Sequence, residues 1–337
     1  MIASSPENIL VIIIARIGDT LLLTPAIHAL RNAFPEAHLE VLAHPKRKCV
    51  LENNPDIDKL SGYTLMEYLR GLLHYKRYDI VLVYGEDSRL IKYARSRGRM
   101  IIGFEQKDAG LQKLLDVFVK KPDAPMHAVD ERLLLVKALG LTNSDRRLIY
   151  RISDEEKKWA DTFIKNLGLY DTDIKIGFQI AGFPTKAYRD WPAEHFISLG
   201  KFILKESNAK ILLFGDKKDI NKARHIHSAI GGRVLIIAGK TNLRQTASLL
   251  PKCNVFVTTD TGPMHIAFAL EVPTVALFHC MHRGENLGPT TKAEIHRIIQ
   301  MEPLRGEECG RHLTMETVES SIVWDSIKDI LKYRNLI

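Results

Sequence analysis

Ile9-Leu-Val-Ile-Ile-Ile14, with the Ala15-Arg-Ile-Gly-Asp19 that comes after it, sets the architecture of the chain. Six consecutive apolar residues, four of them isoleucine, suit a central parallel strand covered on both faces. The helical spacing of Leu23, Ile27 and Leu30 then predicts a helix from Thr20 to Ala33, stopped by Pro35. Beyond it, His38–Ala43, Asp79–Tyr84 and Met100–Phe104 read as further strands, and His127–Leu139 as an amphipathic helix closed by Gly140. A polar, charged helix and a turn are expected between Ile152 and Asp173. The pattern then restarts, with strands at Ile174–Gln179, Lys210–Phe214, Val234–Ala238, Val255–Thr258 and Thr274–Phe278. Helices are expected at Glu194–Glu206, Asn221–Ile230, Leu243–Leu250, Pro263–Leu270 and Val318–Tyr333.

Strands alternating with helices imply βαβ units and parallel sheets, so the expected class is α/β with two Rossmann-like domains. Open α/β sheets bind ligands beyond the carboxyl ends of their strands, and two such domains facing each other make a cleft. The boundaries read as 1–155 for the first domain, 156–173 for a linker, 174–315 for the second domain and 316–337 for a terminal helix.

Composition narrows the functional classes. A chain of 337 residues that is 45% hydrophobic and 26% charged has material for two cores. Its net charge of +8 favours anionic partners. The densest basic runs, Lys46-Arg47-Lys48 and Arg95-Ser96-Arg97-Gly98-Arg99, lie in the first half. Cys49, Cys253, Cys280 and Cys309 form no CxxC pair or zinc-knuckle spacing, so reduced thiols are expected. No apolar run approaches the roughly 20 residues of a membrane span. Ile9–Ala15 comes after Glu7 and lacks the flanks of a signal peptide, which points to a cytoplasmic protein with at most peripheral membrane contact. No GxGxxG follows either first strand and no P-loop occurs, which disfavours a dehydrogenase and a kinase. Asp171-Thr-Asp173 precedes a strand and reads as a turn, not as a metal site. No nucleic-acid-reading element is recognisable.

The most informative motif is Thr258-Thr-Asp-Thr-Gly-Pro-Met-His-Ile-Ala267. A strand ends in a polar turn, Thr261 stands where a helix cap would, and Pro263 occupies the first turn, where proline fits. Gly262 lets backbone N–H groups approach a ligand, and such a helix N-terminus suits a diphosphate. An aspartic protease would need two Asp-Thr-Gly loops in β-rich lobes, which the helix–strand alternation opposes. In the first domain, Gly18 allows a tight turn after the strand, and Asp19 stands at a helix start, where by itself it reads as an N-cap.

Asp260-Thr-Gly-Pro-Met-His265, Ala15-Arg-Ile-Gly-Asp-Thr-Leu-Leu-Leu-Thr-Pro-Ala-Ile27 and Gln179-Ile-Ala-Gly-Phe-Pro-Thr-Lys-Ala-Tyr-Arg-Asp-Trp-Pro192 together resemble glycosyltransferase family 9, the ADP-heptose:lipopolysaccharide heptosyltransferases. The resemblance runs from Ile9 to Arg311 and is strongest around Asp260 and Asp19. It implies a GT-B fold, with an amino-terminal acceptor domain, a carboxyl-terminal donor domain and a terminal helix packing back toward the first. It implies Asp19 as the catalytic base, and Thr185, Lys186, Arg189, Asp219, Asp260, Thr261, Gly262 and His265 as donor-binding residues. The family's phosphate-contacting lysine falls at Arg189 here, with Lys186 three residues earlier, and either cation can fill the role. The family's ribose-binding glutamate falls at Asp219.

The resemblance further implies an inverting reaction without metal or other cofactor. The donor would be a nucleotide sugar, and the acceptor a lipopolysaccharide core or lipid A–Kdo type molecule. Arg16, Lys46, Arg47, Lys48 and Arg95 are the candidates for binding that acidic acceptor. Peripheral contact with the inner membrane is expected, and contact with nucleic acid is not. Two rivals remain at this level: a relative that uses another nucleotide sugar, and a catalytically silent nucleotide-sugar-binding protein.

Overall fold

A computed structural model describes residues 5–73, 77–142, 144–182 and 184–337, with residues 70–73, 184 and 185 described by their backbone. The chain divides into two units, Met1–Arg151 and Ile152–Ile337.

The first unit runs β1 (Asn8–Ile13), α1 (Ile17–Leu21), α2 (Thr24–Ala33), β2 (His38–Ala43), β3 (Lys59–Gly62), α3 (Leu65–Leu73), β4 (Tyr78–Val83), α4 (Ser88–Arg97), β5 (Gly98–Phe104), α5 (Ala109–Gln112), β6 (Val117–Val119) and α6 (Ala128–Lys137). Its six strands pair in parallel in the order β3-β2-β1-β4-β5-β6. Ile9 to Ile12 are at most 1% exposed, as a strand buried on both faces requires. The single helix expected over Thr20–Ala33 is two helices, because Pro25 cannot donate into a continuing helix and starts a new one after Leu22 and Leu23.

The second unit runs α7 (Asp154–Asn166), β7 (Lys175–Gln179), α8 (Ala193–Glu206), β8 (Lys210–Phe214), α9 (Ile220–Ile230), β9 (Val234–Ile236), α10 (Leu243–Leu249), β10 (Val255–Thr259), α11 (Gly262–Ala269), β11 (Thr274–Phe278), α12 (Gly284–Leu287), β12 (His296–Gln300) and α13 (Ser320–Tyr333). The sheet is again parallel, in the order β12-β11-β10-β7-β8-β9.

Two expected boundaries move. Residues 156–173 are not a free linker. Ser153 caps α7 through a capping box with Glu156, and Glu156 also binds Arg244 of α10, so this segment is built into the second unit. Residues 316–337, expected to cross back to the first domain, contribute Val323, Trp324, Ile327, Ile330 and Leu331 to the second unit's core, against α8 and strands β10 to β12. Cys280 and Cys309 form a disulfide, against the expectation of four reduced thiols, while Cys49 and Cys253 are free. The spacing of 29 residues hid the pair, because the chain passes through β12 before returning past the end of β11.

His296, the first residue of β12, is 4% exposed and stacks edge-on against Phe268. Burial, with Arg297 adding to it and Glu294 opposing, pushes its imidazole from 6.5 down to about 4. Between those values the unfolded chain binds a proton that the folded chain refuses, so stability present above pH 6.5 is lost as pH falls. His282 is depressed in the same direction. Scanning calorimetry should therefore find that the Tm of His296→Leu falls less than that of the wild type between pH 6.5 and 5 (about the upper half of the window). Equal slopes would contradict a neutral buried histidine.

Candidate active site

In each sheet the strand order reverses beside the first strand, between β1 and β4 in one unit and between β7 and β10 in the other. The crevice beyond the carboxyl ends of such a strand pair is where an α/β sheet admits a ligand.

In the first unit that crevice is bordered by α1. Arg16 precedes α1 in an extended conformation (φ −73°, ψ 168°), and its carbonyl accepts hydrogen bonds from the Thr20 amide (2.9 Å) and Thr20 Oγ1 (2.8 Å). Gly18 is itself helical, so the turn expected there is made by Arg16. Asp19 lies in the first turn of α1, where a carboxylate is favoured by the helix dipole. Arg132 Nη2 of α6 donates to Asp19 Oδ1 at 2.9 Å. Arg132 is itself anchored: its Nη1 donates to the Ala128 carbonyl (3.0 Å), and its own carbonyl accepts from Tyr84 Oη (3.0 Å) at the end of β4. The arginine side chain is 13% exposed and the aspartate 44%, so the carboxylate is fixed on its protein side and open on the other.

Arg47 Nη1 donates to the Ala15 carbonyl (3.0 Å), which fastens the Lys46-Arg47-Lys48 loop to the connection carrying Arg16 and Asp19. Arg95 does not join them. It lies in the last turn of α4, binds Asp116 at 2.8 Å and donates to the Gly98 and Arg99 carbonyls. Those groups surround the amino end of β5, the edge of the sheet opposite Asp19, so Arg95 serves the fold there.

In the second unit, Asp260 follows β10 and α11 opens directly after Thr261. Thr261 occupies the N-cap position without a side-chain cap hydrogen bond. Its hydroxyl lies 3.3 Å from Thr258 Oγ1 instead. The first turn of α11 is thus not closed by its own cap, the condition under which its N–H groups can serve an anion. Arg189 Nη2 binds both the carboxylate and the carbonyl of Asp260, and His265 Nε2 lies 3.8 Å from the other carboxylate oxygen. All three side chains are at most 9% exposed. The loop that carries Arg189 is packed tightly at its start: a Cβ on Gly182 would lie 1.5 Å from Asp190 Oδ1, so no other residue fits there.

Lys186 and Arg189 both act on the charge of His282. Burial, then the charges of Arg189 and Lys186 against that of Asp260, hold His282 down at about 4, so it is a neutral acceptor near pH 7. Tyr188 Oη lies 3.4 Å from His282 Nε2, and the Tyr188 ring stacks edge-on against His279. The side chain of Thr185 lies outside the described residues. Asp219 does not face this group. Its Oδ2 accepts from the Asp216 amide (2.8 Å) in a turn of its own. The open pocket beside it, about 570 Å³ at the ends of β8 and β9, is lined by Asp216, Lys217, Lys218, Gly239, Lys240, Thr241 and Asn242.

Several site residues escaped the sequence reading: Arg132, Tyr188, His282 and Gln179. Gln179 ends β7 at 6% exposure, and its Oε1 has no hydrogen-bond partner among the described residues, an acceptor left at the crevice mouth. The signal for it was present, since it is the polar terminus of an otherwise apolar strand. Among the described residues the group placed to hold a metal is His279, Cys280 and Cys309, where both sulfurs are in the disulfide.

Comparison with known proteins agrees with this arrangement. Residues 68–309 match the family model of glycosyltransferase family 9 (heptosyltransferase). The lipooligosaccharide heptosyltransferase 2 of Haemophilus influenzae is 24% identical, over 96% of this chain and 99% of its own. Among solved structures, a family 9 glycosyl transferase from Veillonella parvula superposes with a TM-score of 0.83 at 24% identity, covering 97% of both chains. The E. coli ADP-heptose lps heptosyltransferase II superposes with a TM-score of 0.78 at 22% identity, covering 97% of this chain and 99% of that one. The fold is thus the GT-B fold of those enzymes, and the chain belongs to glycosyltransferase family 9, the heptosyltransferases.

Proposed function

We propose that this glycosyltransferase moves a heptose from ADP-heptose to a lipopolysaccharide inner-core acceptor, with inversion and without a metal ion, on the cytoplasmic side of the membrane. The observation that carries the reading is the crevice between β7 and β10. A helix N-terminus without a side-chain cap opens there beside the Arg189–Asp260 pair, with Lys186 acting on neighbouring His282, in a chain whose relatives include ADP-heptose-using heptosyltransferases. The diphosphate would lie against the first turn of α11, with the nucleoside toward the pocket at the ends of β8 and β9.

Asp19 takes the proton of the acceptor hydroxyl as that oxygen bonds to the anomeric carbon. The bond from that carbon to the diphosphate oxygen breaks, and ADP leaves with the electron pair. A sugar hydroxyl is a poor nucleophile until a base removes its proton, and Arg132 supports this step by holding the Asp19 carboxylate in one place. The charge growing on ADP is met by groups already oriented for it, which is why no metal is required. Arg16 and the Lys46–Lys48 loop, fastened beside Asp19, suit an acceptor rich in phosphate and carboxylate.

With ADP-heptose and a core acceptor, ADP release by Asp19→Asn should fall by about 10²–10⁴-fold, the range of general-base catalysis, while ADP affinity stays within about twofold of wild type. A fully active Asp19→Asn would remove the base from this scheme.

The two cations near α11 should separate by role. Arg189 is buried on Asp260, so Arg189→Met should cost about 3 kcal/mol or more in urea unfolding by stranding a buried carboxylate, with part recovered in Arg189→Met/Asp260→Asn. Lys186 is partly exposed, so Lys186→Ala should leave stability within about 0.5 kcal/mol and weaken ADP binding about tenfold, measured by calorimetry. Unchanged ADP affinity in Lys186→Ala would transfer the phosphate contact to Arg189.

A further inference from the structure

The strands of the second sheet run β12-β11-β10-β7-β8-β9, so the pocket at the ends of β8 and β9 lies to one side of the crevice between β7 and β10, and β11 to the other. Directly after β11 comes the turn His279-Cys-Met-His282, and it is held from several directions. The His282 amide donates to the His279 carbonyl (2.8 Å), and the Met281 amide to His279 Nδ1 (3.2 Å). His279 Nε2 therefore carries the ring proton and donates it to the Leu313 carbonyl (3.0 Å), while Cys280 is bonded to Cys309. Tyr188, the residue before Arg189, lies across this turn. Its ring stands edge-on to His279, with centroids 4.9 Å apart, and its hydroxyl lies 3.4 Å from His282 Nε2.

Tyr188 and His282 are partly exposed, unlike the buried Arg189, Asp260 and His265 beside them. Among the described residues their shared hydrogen bond is the one such bond that either side chain makes. What the pair can offer a ligand follows from a neutral imidazole, the state in which burial and the charges of Arg189 and Lys186 hold His282. If the phenol donates to Nε2, an N–H remains at Nδ1 and lone pairs remain on the phenol oxygen. If Nε2 donates to the phenol, the phenol O–H remains, with a lone pair at Nδ1. Either tautomer leaves a donor and an acceptor side by side. Hydroxyl groups, each donor and acceptor at once, satisfy both. An anion would leave the acceptor facing a like charge, with the Asp260 carboxylate acting on the same histidine, and an apolar group would leave both polar atoms unpaired.

We propose that Tyr188 and His282 recognise the sugar of the donor, binding its hydroxyls at the end of β11. The inference rests on the reading of the crevice between β7 and β10 as the diphosphate site, and it assigns the neighbouring turn to the group that the diphosphate carries. With the nucleoside at β8 and β9 and the diphosphate at the first turn of α11, the other end of the donor falls toward β11. From β8 to β11 is three strand spacings, about 14 Å, a span that a nucleoside, two phosphates and a sugar laid end to end can cover. The fastenings of the turn hold the two polar groups in place before the sugar arrives.

The test is titration calorimetry of the full chain with ADP and, separately, with ADP-heptose, no acceptor being present. Tyr188→Phe and His282→Leu should each weaken ADP-heptose binding by about tenfold and leave ADP affinity within about twofold of wild type. His282→Gln, which keeps a donor and an acceptor, should recover part of the loss. If His282→Leu fails to fold, Tyr188→Phe, which removes a single oxygen, must still separate the two ligands. An equal loss for ADP and ADP-heptose would overturn the proposal, because the pair would then serve the nucleotide or the fold. Unchanged affinity for both ligands would overturn it as well, and would leave the pair to the acceptor. A wild type that binds neither ligand would instead sink the reading of the crevice as a donor site, a result distinct from either.

Discussion

A guanidinium and a carboxylate buried side by side hold the crevice of the second unit in shape. Arg189 and Asp260 have side chains at most 9% exposed and belong to segments 71 residues apart. Removing either charge from water alone is expensive, so the two are tolerable only together. The loop after β7 must therefore close over the end of β10 before either residue is stable. Trp191, two residues on, donates its indole N–H to the Val318 carbonyl, which ties the same loop to the approach of α13. These contacts fix the start of α11, the place where the proposed chemistry puts the diphosphate.

Much of this was legible in the sequence, and the limits have physical causes. The long buried strands, β1 and β7 above all, announce themselves through runs of β-branched residues or alternation with helices. The short strands β3 (Lys59–Gly62), β6 (Val117–Val119) and β12 (His296–Gln300) do not: two of them close the ends of the first sheet and one closes an end of the second, where one side needs no partner and polar residues are accepted. Asp19, Asp260 and Arg189 stand out in the sequence because each sits at a strand end or in a recognisable motif. Arg132 does not, because its partner is 113 residues away and nothing local marks it. The same holds for His282 beside Lys186 and Arg189. Arg95 shows the opposite error: a dense basic run looked like a binding surface, and the fold used that arginine to tie the end of α4 to Asp116 and neighbouring carbonyls.

The two units repeat one device. In both, the order of strands reverses beside the first strand, and a distinctive group lies beyond that pair: an aspartate held by Arg132 in the first, a helix N-terminus beside the Arg189–Asp260 pair in the second. Repetition of a topology does not make the sites alike. The first presents a half-exposed carboxylate held by Arg132, with Arg47 fastened to the connection that carries it. The second presents a helix start without a side-chain cap beside a buried ion pair. The proposed function assigns these two sites to the two substrates of a transferase.

Amide hydrogen exchange with and without ADP reports whether a diphosphate is held at the mouth of α11. Exchange should slow in ADP at 260–266, at 184–189 and at 239–242, the pocket loop. UDP and GDP at the same concentration should protect these amides less. Protection that bypasses 260–266, or that is confined to the first unit, would contradict a diphosphate site there.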